Sequence, residues 1–422
     1  MKLSENFTKS IKQVWKEEIY TNSKLLIKWG FIQRVMAWVY TYLPFWFKVL
    51  KKIENIVREE MYKLWANEVY MPALSPKESW ERTNRWDVDV LFKLDWAGWN
   101  EYSLNWTHEE LITPLAQKYI YSHKDLPRGI FQIQNKFRNE PRAKSGLLRW
   151  REFLMKDLYS FHKDEKDLNE YFNKVAQTYK NIYERLWLGE KTFVVQAPGW
   201  DFTTEPSLEF QTIMQWGEDI IWYSNDKDLV INEEIIQINP QNFDTKTDNW
   251  KIVEVKDKKT WQNLQQERSA EVWNIFKLYD KFSKAFNFYF TDQDWQQKLV
   301  QMWCYWIGIS RLMAVLVEVF NDEDWIIWPE NIAPYKYAII PIWQEWENKA
   351  KQIYDKMSKD WKEVVLDDRK QSPGYKLKDA DLVGYPYKIV VSEKTLENWT
   401  NTVELIKRST WEKLLLDWQT II

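Results

Sequence analysis

Glycine decides where a chain can turn tightly, because only a residue without a Cβ enters left-handed backbone at no steric cost. This chain of 422 residues has 10 glycines and 29 tryptophans. Ten glycines is roughly a third of the ~7% share of an ordinary soluble protein, so most tight turns must be made by something else. The tryptophans stand where turns belong. "LDWAGWNEY" sets Trp96 and Trp99 between two strand-like runs. Trp200 in "PGWD", Trp216 in "QWGED", Trp325 in "DEDWII", Trp361 in "SKDWKE" and Trp411 in "STWEK" have similar surroundings. Reading each as glycine restores a turn signal. A tryptophan-rich core would account for the number of indoles but not for their positions. The pattern predicts a gene in which UGA encodes glycine, translated as tryptophan. Trp80, Trp86 and Trp328 read as genuine.

Other bounds follow quickly. The length suits two or three domains, each able to bury a core. One cysteine precludes an internal disulfide, and three histidines (His108, His123, His162) are too few for a Cys/His zinc site, so no zinc is expected. The start "MKLSENFTKSIKQVW" has no apolar signal core, and no run approaches ~20 apolar residues, which predicts a cytoplasmic protein without membrane contact. A net charge of −3 neither demands nor excludes nucleic acid.

Along the chain, residues 31–65 read as a strand followed by an amphipathic helix, "NEVYMPAL" as a short strand, and 87–105 as a hairpin. Two alternating runs, "FQIQNKFRNE" and "EFLMKDLYSFH", are joined by the basic loop "PRAKSGLLRWR". A helix is predicted over 164–186, then mixed strands to about 240. Residues 240–265 are polar and weakly patterned, as a surface insertion is. The last ~90 residues alternate strand, helix and strand, pass a polar stretch and end in three strands, which predicts an independent α/β module.

In "FQIQNKFRNE", Gln132, Gln134, Lys136, Arg138 and Glu140 share one face by period-2 alternation. Such a face is either the solvated side of an antiparallel edge or a binding surface. "LRWREFLMKD" adds Arg149, Arg151 and Phe153; guanidinium forks suit phosphate or carboxylate, and an aromatic beside them can stack on a purine. Further on, Trp303 and Trp306 flank Cys304 in what reads as a loop, before a Gly308–Arg311 turn and an apolar helix. Arg311 is a further candidate for phosphate.

These residues carry a resemblance. "KFRNEPRAKSGLLRWREFLMKDLYSFH" is similar to motif 2 of bacterial prolyl-tRNA synthetases, with Trp150 at a glycine position. "WCYWIGISRL" resembles their motif 3, with Trp303 and Trp306 at glycine positions. "WGFIQRVMAWVYTYLPFWFKVLKKIE" resembles the motif 1 region, with Trp29, Trp38 and Trp46 in glycine slots. "VVLDDRKQSPGYKLKDADLVGYPYKIVV" resembles the C-terminal anticodon-binding domain. The resemblance implies an α+β protein: a class II antiparallel sheet flanked by helices over 1–330, with a reduced insertion at about 240–265, then an α/β anticodon-binding domain over 331–422. It implies proline–tRNA ligase activity with ATP and Mg²⁺, tRNA(Pro) as partner, and a homodimer. Thr107 and Glu109 of "LNWTHEE" would hold the proline amine, Arg138 would bridge proline carboxylate and α-phosphate, and His162 would border the proline pocket. Glu140, Arg149 and Phe153 would hold adenine, Arg311 the γ-phosphate, and Glu209 the magnesium.

Departures from the family are visible. Leu208 in "SLEF" replaces a histidine, and Trp106 precedes Thr107 in place of the usual residue. The spacing between motifs 2 and 3 leaves no room for the large editing insertion of many bacterial members. The competing reading, from another functional class, is a catalytically impaired synthetase-like protein that binds RNA or regulates. A threonyl enzyme would need zinc ligands, and a seryl enzyme a long helical arm.

Overall fold

The computed structural model describes the whole chain except residues 12–18, 96–99, 141–145, 199–206, 323, 394–401 and 422. Trp96, Trp99 and Trp200 lie outside the described residues. The rest divides into two compact units, Glu54–Val315 and Met1–Ile53 with Leu316–Ile422.

The first unit is built on a large sheet, eleven-stranded among the described residues. In chain order its strands are β1 (Asn67–Glu68), β2 (Arg128–Phe137), β3 (Glu152–His162), β4 (Thr192–Ala197), β5 (Ser207–Ile213), β6 (Asp219–Tyr223), β7 (Val230–Asn232), β8 (Phe243–Asp248), β9 (Lys251–Asp257), β10 (Asn263–Tyr279) and β11 (Gln301–Gly308). The spatial order is β5-β4-β7-β6-β10-β11-β3-β2-β1, with the β8–β9 hairpin branching from β10. At its centre β2, β3, β11 and β10 are antiparallel neighbours, with Gln132 opposite Asp157 and Asp157 opposite Trp306. The helix Glu165–Arg185 lies against β3 and β11. It starts where the Asp164 side chain accepts the Asp167 N–H, and it buries Leu168, Tyr171, Val175, Tyr179 and Ile182 at helical spacing.

Alternation left two meanings open for the polar face of β2, and the structure selects one. Gln132, Gln134 and Lys136 are buried, so this is not a solvated edge. One expectation is corrected. Trp303 and Trp306 lie on the central strand β11, not in a loop, and both are buried. The polar segment at 240–265 forms the ordered hairpin β8–β9 with the start of β10. Its Phe243, Val255 and Leu264 complete a small core with Trp222, Ile231, Ile235 and Ile236.

The second unit holds a five-stranded sheet of β12 (Tyr337–Pro341), β13 (Val364–Leu366), β14 (Tyr387–Val391), β15 (Thr402–Lys407) and β16 (Lys413–Asp417), in the order β13-β12-β14-β15-β16. The helix Glu347–Lys359 buries Ala350, Ile353 and Met357 in a core with Ile339, Leu366, Ile389 and Val403. The stretch read as merely polar contains a helix, Pro373–Val383. Ser372 caps its start, Pro373 opens it and Gly384 closes it with φ +79°.

Helix ends show what the tryptophans do to the backbone. After the helix Thr21–Trp29, Gly30 at φ +74° donates to Ile27 O, and Phe31 donates to Leu26 O. This pair of bonds is a Schellman closure, whose left-handed position favours glycine. Trp65, Trp187 and Trp361 occupy the same position, at φ +57°, +62° and +58°. Each has the same bonds: Trp65 N–H to Tyr62 O with Ala66 N–H to Met61 O, Trp187 to Glu184 with Leu188 to Tyr183, and Trp361 to Ser358 with Lys362 to Met357. At the tip of β8–β9, Asn249 and Trp250 both have positive φ, where hairpins favour Asn-Gly. By contrast Trp80 is fully buried, donates from Nε1 to Ser75 Oγ at 2.6 Å, and has no positive φ.

These positions make opposite predictions for stability. Trp361 is 93% exposed and left-handed, so Trp361→Gly should raise the unfolding free energy by about 1 kcal/mol. Trp80→Ala should lower it by about 3–5 kcal/mol. Urea unfolding of the tryptophan-containing chain measures both, and a destabilised Trp361→Gly would contradict the backbone-strain argument.

Candidate active site

A cavity of about 370 Å³ opens at one end of the central strands. Its charged lining is Arg138, Glu140, Arg149, Glu271 and Arg311, with Phe153 and four indoles (Trp106, Trp150, Trp273, Trp306) supplying aromatic walls. The elements explain the convergence. Arg138 follows the last residue of β2 and is held by its N–H donating to Arg151 O at 2.9 Å. Phe153 stands near the start of β3, and Glu271 lies within β10. Arg311 occupies the first turn of the helix Ile309–Val319. Gly308 permits that placement, since a Cβ there would lie 3.1 Å from the Arg311 Cβ.

Three guanidinium groups therefore share one cavity. Arg138 sits over the rings of Phe153 (5.2 Å), Trp306 (5.5 Å) and Trp106 (5.9 Å). Burial pulls its pKa down, Glu140 opposes the shift, and Arg311 and Arg149 add to it. Arg311 donates from Nε to Leu148 O at 2.9 Å and from one terminal nitrogen to Glu271 O at 2.6 Å. It also lies 3.3 Å from the Glu271 carboxylate and 4.0 Å from Glu218. Burial alone would lower the Arg311 pKa, but Glu218, Glu271 and Asp219 raise it overall. Arg149 lies 3.4 Å from Glu218 and 3.8 Å from Glu140.

All five residues expected to hold ATP thus meet in one cavity. Thr107 and Glu109 do not line it; they are buried one and three residues after Trp106, which does. Both carboxylate oxygens of Glu109 and the Thr107 hydroxyl lack a hydrogen-bond partner. Arg85 lies 3.7 Å from Glu109 and 2.8 Å from Glu110. The buried Lys136 ammonium contacts Asp157 and His108, and Gln132 donates to Asp157 at 2.8 Å. Such a polar site is costly unless its groups find partners, and the unpartnered oxygens invite a buried donor.

His162 is a correction. It follows Asp157 by five residues on β3, so the pleat turns it to the opposite face of the sheet. There its ring lies 5.3 Å from Tyr171 and its Nδ1 is 3.2 Å from Asp167. It lies on the helix-covered side of the sheet, away from the Glu109 cluster.

Glu209 stands one side chain back from the cavity. It accepts from Asn274, a lining residue, at 3.0 Å and from Gln211 at 2.8 Å. Burial, with Glu271 and Asp219 adding repulsion, pushes its carboxyl well above the ordinary range. Among the described residues no group of three or more His, Cys, Asp or Glu is arranged to hold a metal. Magnesium asks less of a protein, often one or two carboxylates plus substrate phosphates. Mutually repelling carboxyls beside a cavity fit that donor set. Sequence reasoning missed Glu218 and Glu271. Only Glu218 carried a visible signal, the "WGED" turn; Glu271 is one of four charged residues on β10, with nothing local to single it out.

Comparison with known proteins gives the family. Residues 92–320 match the family model of the tRNA synthetase class II core domain (G, H, P, S and T), and residues 336–422 match that of the anticodon binding domain. The proline–tRNA ligase of Ehrlichia chaffeensis is 34% identical over 420 residues, covering 99% of this chain and 97% of the relative. That of Caldicellulosiruptor saccharolyticus is 30% identical over 561 aligned residues, covering 100% of this chain and 97% of the relative. The crystal structure of prolyl-tRNA synthetase from Cryptosporidium parvum, complexed with halofuginone and AMPPNP, superposes with a TM-score of 0.75 at 18% identity, covering 95% of this chain and 75% of that one. A class II core over the central residues, an anticodon-binding module after it, and relatives matched end to end place this chain in the proline–tRNA ligase family of the class II aminoacyl-tRNA synthetases.

Proposed function

We propose that this cavity activates proline with ATP, and that the resulting prolyl-adenylate is transferred to the 3′ end of tRNA(Pro). The observation that carries the reading is the convergence of Arg138, Glu140, Arg149, Phe153 and Arg311 on one cavity beside the buried Thr107 and Glu109. In the reaction a proline carboxylate oxygen attacks the α-phosphorus. The new C–O–P bond forms as the bond to the β-phosphate bridging oxygen breaks, and pyrophosphate leaves with the electron pair. No general base is required, because the carboxylate is already the nucleophile. Rate comes from alignment and from charge stabilisation at phosphorus.

The residues divide the work. Glu109 and Thr107 receive the proline amine. Arg138, at the mouth of β2, touches both carboxylate and α-phosphate. Phe153 and Arg149 bracket adenine, and Glu140 fixes its edge. Arg311 receives the outer phosphate at a helix N-terminus, where backbone N–H groups also favour an anion. Glu271 with Glu209 would hold magnesium, which would supply positive charge opposite the pyrophosphate oxygens. His162 has no role in this assignment, because it faces the other side of the sheet. We divide the chain into a catalytic part, 1–330, and an anticodon-binding part, 331–422, and we read the enzyme as a cytoplasmic homodimer joined through the motif 1 region. A monomer by sedimentation would remove the dimer.

The glycine reading belongs to the same proposal. Trp65, Trp187 and Trp361 repeat the hydrogen bonding of Gly30, and Trp250 takes a hairpin position that favours glycine. The Trp273 ring centroid is 3.3 Å from that of Tyr179, shorter than the ~4.5–7 Å at which aromatic pairs settle. Glycine at Trp106, Trp150, Trp273 and Trp306 would enlarge the cavity for the adenylate. The gene should carry UGA at these positions and UGG at Trp80, Trp86 and Trp328. UGG throughout would end the glycine reading and favour the impaired, RNA-binding alternative.

The enzyme, translated as its gene specifies, should exchange labelled pyrophosphate into ATP in a proline-dependent way. Arg138→Ala should abolish exchange. Glu109→Gln should raise the proline KM by roughly a hundredfold, the effect of losing one charge-assisted contact of about 2–3 kcal/mol. Better exchange with threonine or serine would refute the substrate assignment. Alanine differs from proline by a few methylenes, worth only ~1–3 kcal/mol of discrimination. Residues 240–265 form a hairpin rather than a hydrolytic domain, so preformed alanyl-tRNA(Pro) should persist at the uncatalysed rate, and rapid deacylation would contradict this.

A further inference from the structure

Arg149 and Arg311 reach the cavity from different elements, and one buried acidic side chain behind the lining lies within 4.0 Å of both. Glu218 places Oε1 3.4 Å from Arg149 Nε and Oε2 4.0 Å from a terminal nitrogen of Arg311. Its side chain is only 5% exposed, and its Oε1 has no hydrogen-bond partner. The other carboxylates differ. Glu140 makes its ion pair with Arg149 at 3.8 Å, and Glu271 meets Arg311 through its backbone oxygen at 2.6 Å and its carboxylate at 3.3 Å.

The turn that carries Glu218 is pinned. Gly217 N–H donates to Met214 O at 3.3 Å, and Arg268 donates to Gly217 O at 3.2 Å. A Cβ on Gly217 would lie 2.2 Å from Ser269 O, so only glycine fits there. Asp219 then enters β6, paired with Ser269 of β10. The backbone of Glu218 therefore stays in place, and only its side chain can swing.

We propose that Glu218 is a resident counter-ion that stands on Arg149 and Arg311, the arginines assigned above to the adenine and to the outer phosphate of ATP. It thus acts as a positioning residue that competes with ATP and speeds the departure of pyrophosphate. The inference rests on the preceding assignment of the cavity to ATP. Carboxylate and phosphate are both acceptors for the same planar donors, and those donors cannot fully serve both. Without a counter-ion, two guanidinium groups would repel each other beside a third, Arg138. With it they are held ordered and ready, which lowers the entropy lost on binding. Each binding event must break the Glu218 contacts, and each release restores them. Affinity is surrendered to keep product exchange fast.

The sign of the effect separates this role from a structural one. Glu218→Gln keeps the shape and removes the charge. Calorimetric titration of the full-length chain with ATP and with inorganic pyrophosphate, in magnesium-containing buffer, should show both binding roughly tenfold more tightly, as expected when one competing charge pair is removed. The KM for ATP should fall, and kcat for aminoacylation should fall with it as pyrophosphate release slows. Glu218→Ala should move both affinities the same way, with a lowered unfolding midpoint, because the arginines lose a buried counter-ion. If either variant binds ATP and pyrophosphate with unchanged or weaker affinity, Glu218 is only a structural ion-pair partner and the inference is overturned. A parent chain that binds no ATP would overturn the assignment of the cavity as well.

Discussion

Like charges brought together are the constraint on which this site depends. Arg138, Arg149 and Arg311 converge on one cavity, and three partly desolvated guanidinium groups repel strongly at an effective dielectric far below that of water. The surrounding acids make the arrangement tenable. Glu140, Glu218 and Glu271 each stand within 4.0 Å of at least one of these arginines. The acids are in turn coupled to one another, and Glu271 joins Asp219 in pushing Glu209 toward its neutral form. The site is thus a charge lattice that a polyanion can enter by substitution, one acceptor for another.

Below that lattice lies a second set of buried charges. Lys136 and Asp157 face each other across β2 and β3, with His108 and Gln132 as further partners. Burial lowers the His108 pKa well below its usual value, and the nearby Lys136 adds to the shift, which leaves the imidazole neutral. A buried ion pair of this kind adds little net stability, because desolvation offsets its Coulomb energy. It does dictate which way β2 and β3 present their polar faces. With that face turned inward, Arg138 at the end of β2 emerges into the cavity and not into solvent.

The glycine positions tie backbone to site. Trp65, Trp187, Trp250 and Trp361 hold left-handed conformations that an indole tolerates poorly. All four are largely exposed, so the strain is local and no packing depends on it. The indoles at Trp106, Trp150, Trp273 and Trp306 sit on the cavity wall, where bulk and chemistry meet. One sequence anomaly therefore bears on fold at the turns and on function in the cavity.

Much was legible in the sequence because it is local. Period-2 alternation marked β2 and β3, helical spacing marked Glu165–Arg185, and the resemblance to synthetase motifs 2 and 3 brought Arg138, Glu140, Arg149, Phe153 and Arg311 together as candidates. What failed was long-range. The helix Pro373–Val383 carries cap signals but no clear apolar stripe, so it read as polar loop. β11 read as loop because its tryptophans were judged by the turn residues they resemble, whereas pairing with β3 and β10 makes it a central strand. His162 was assigned by motif, yet pleat parity across β3 decides its face. Glu218 and Glu271 are distant in sequence from the arginines they balance, and no local pattern connects them. By itself the sequence determined which residue types stand at which intervals, since propensity and periodicity act over a few residues. Which strand lies beside which, and so which acids neutralise which arginines, was decided only by the tertiary structure, because Coulomb interactions and burial depend on distance in space.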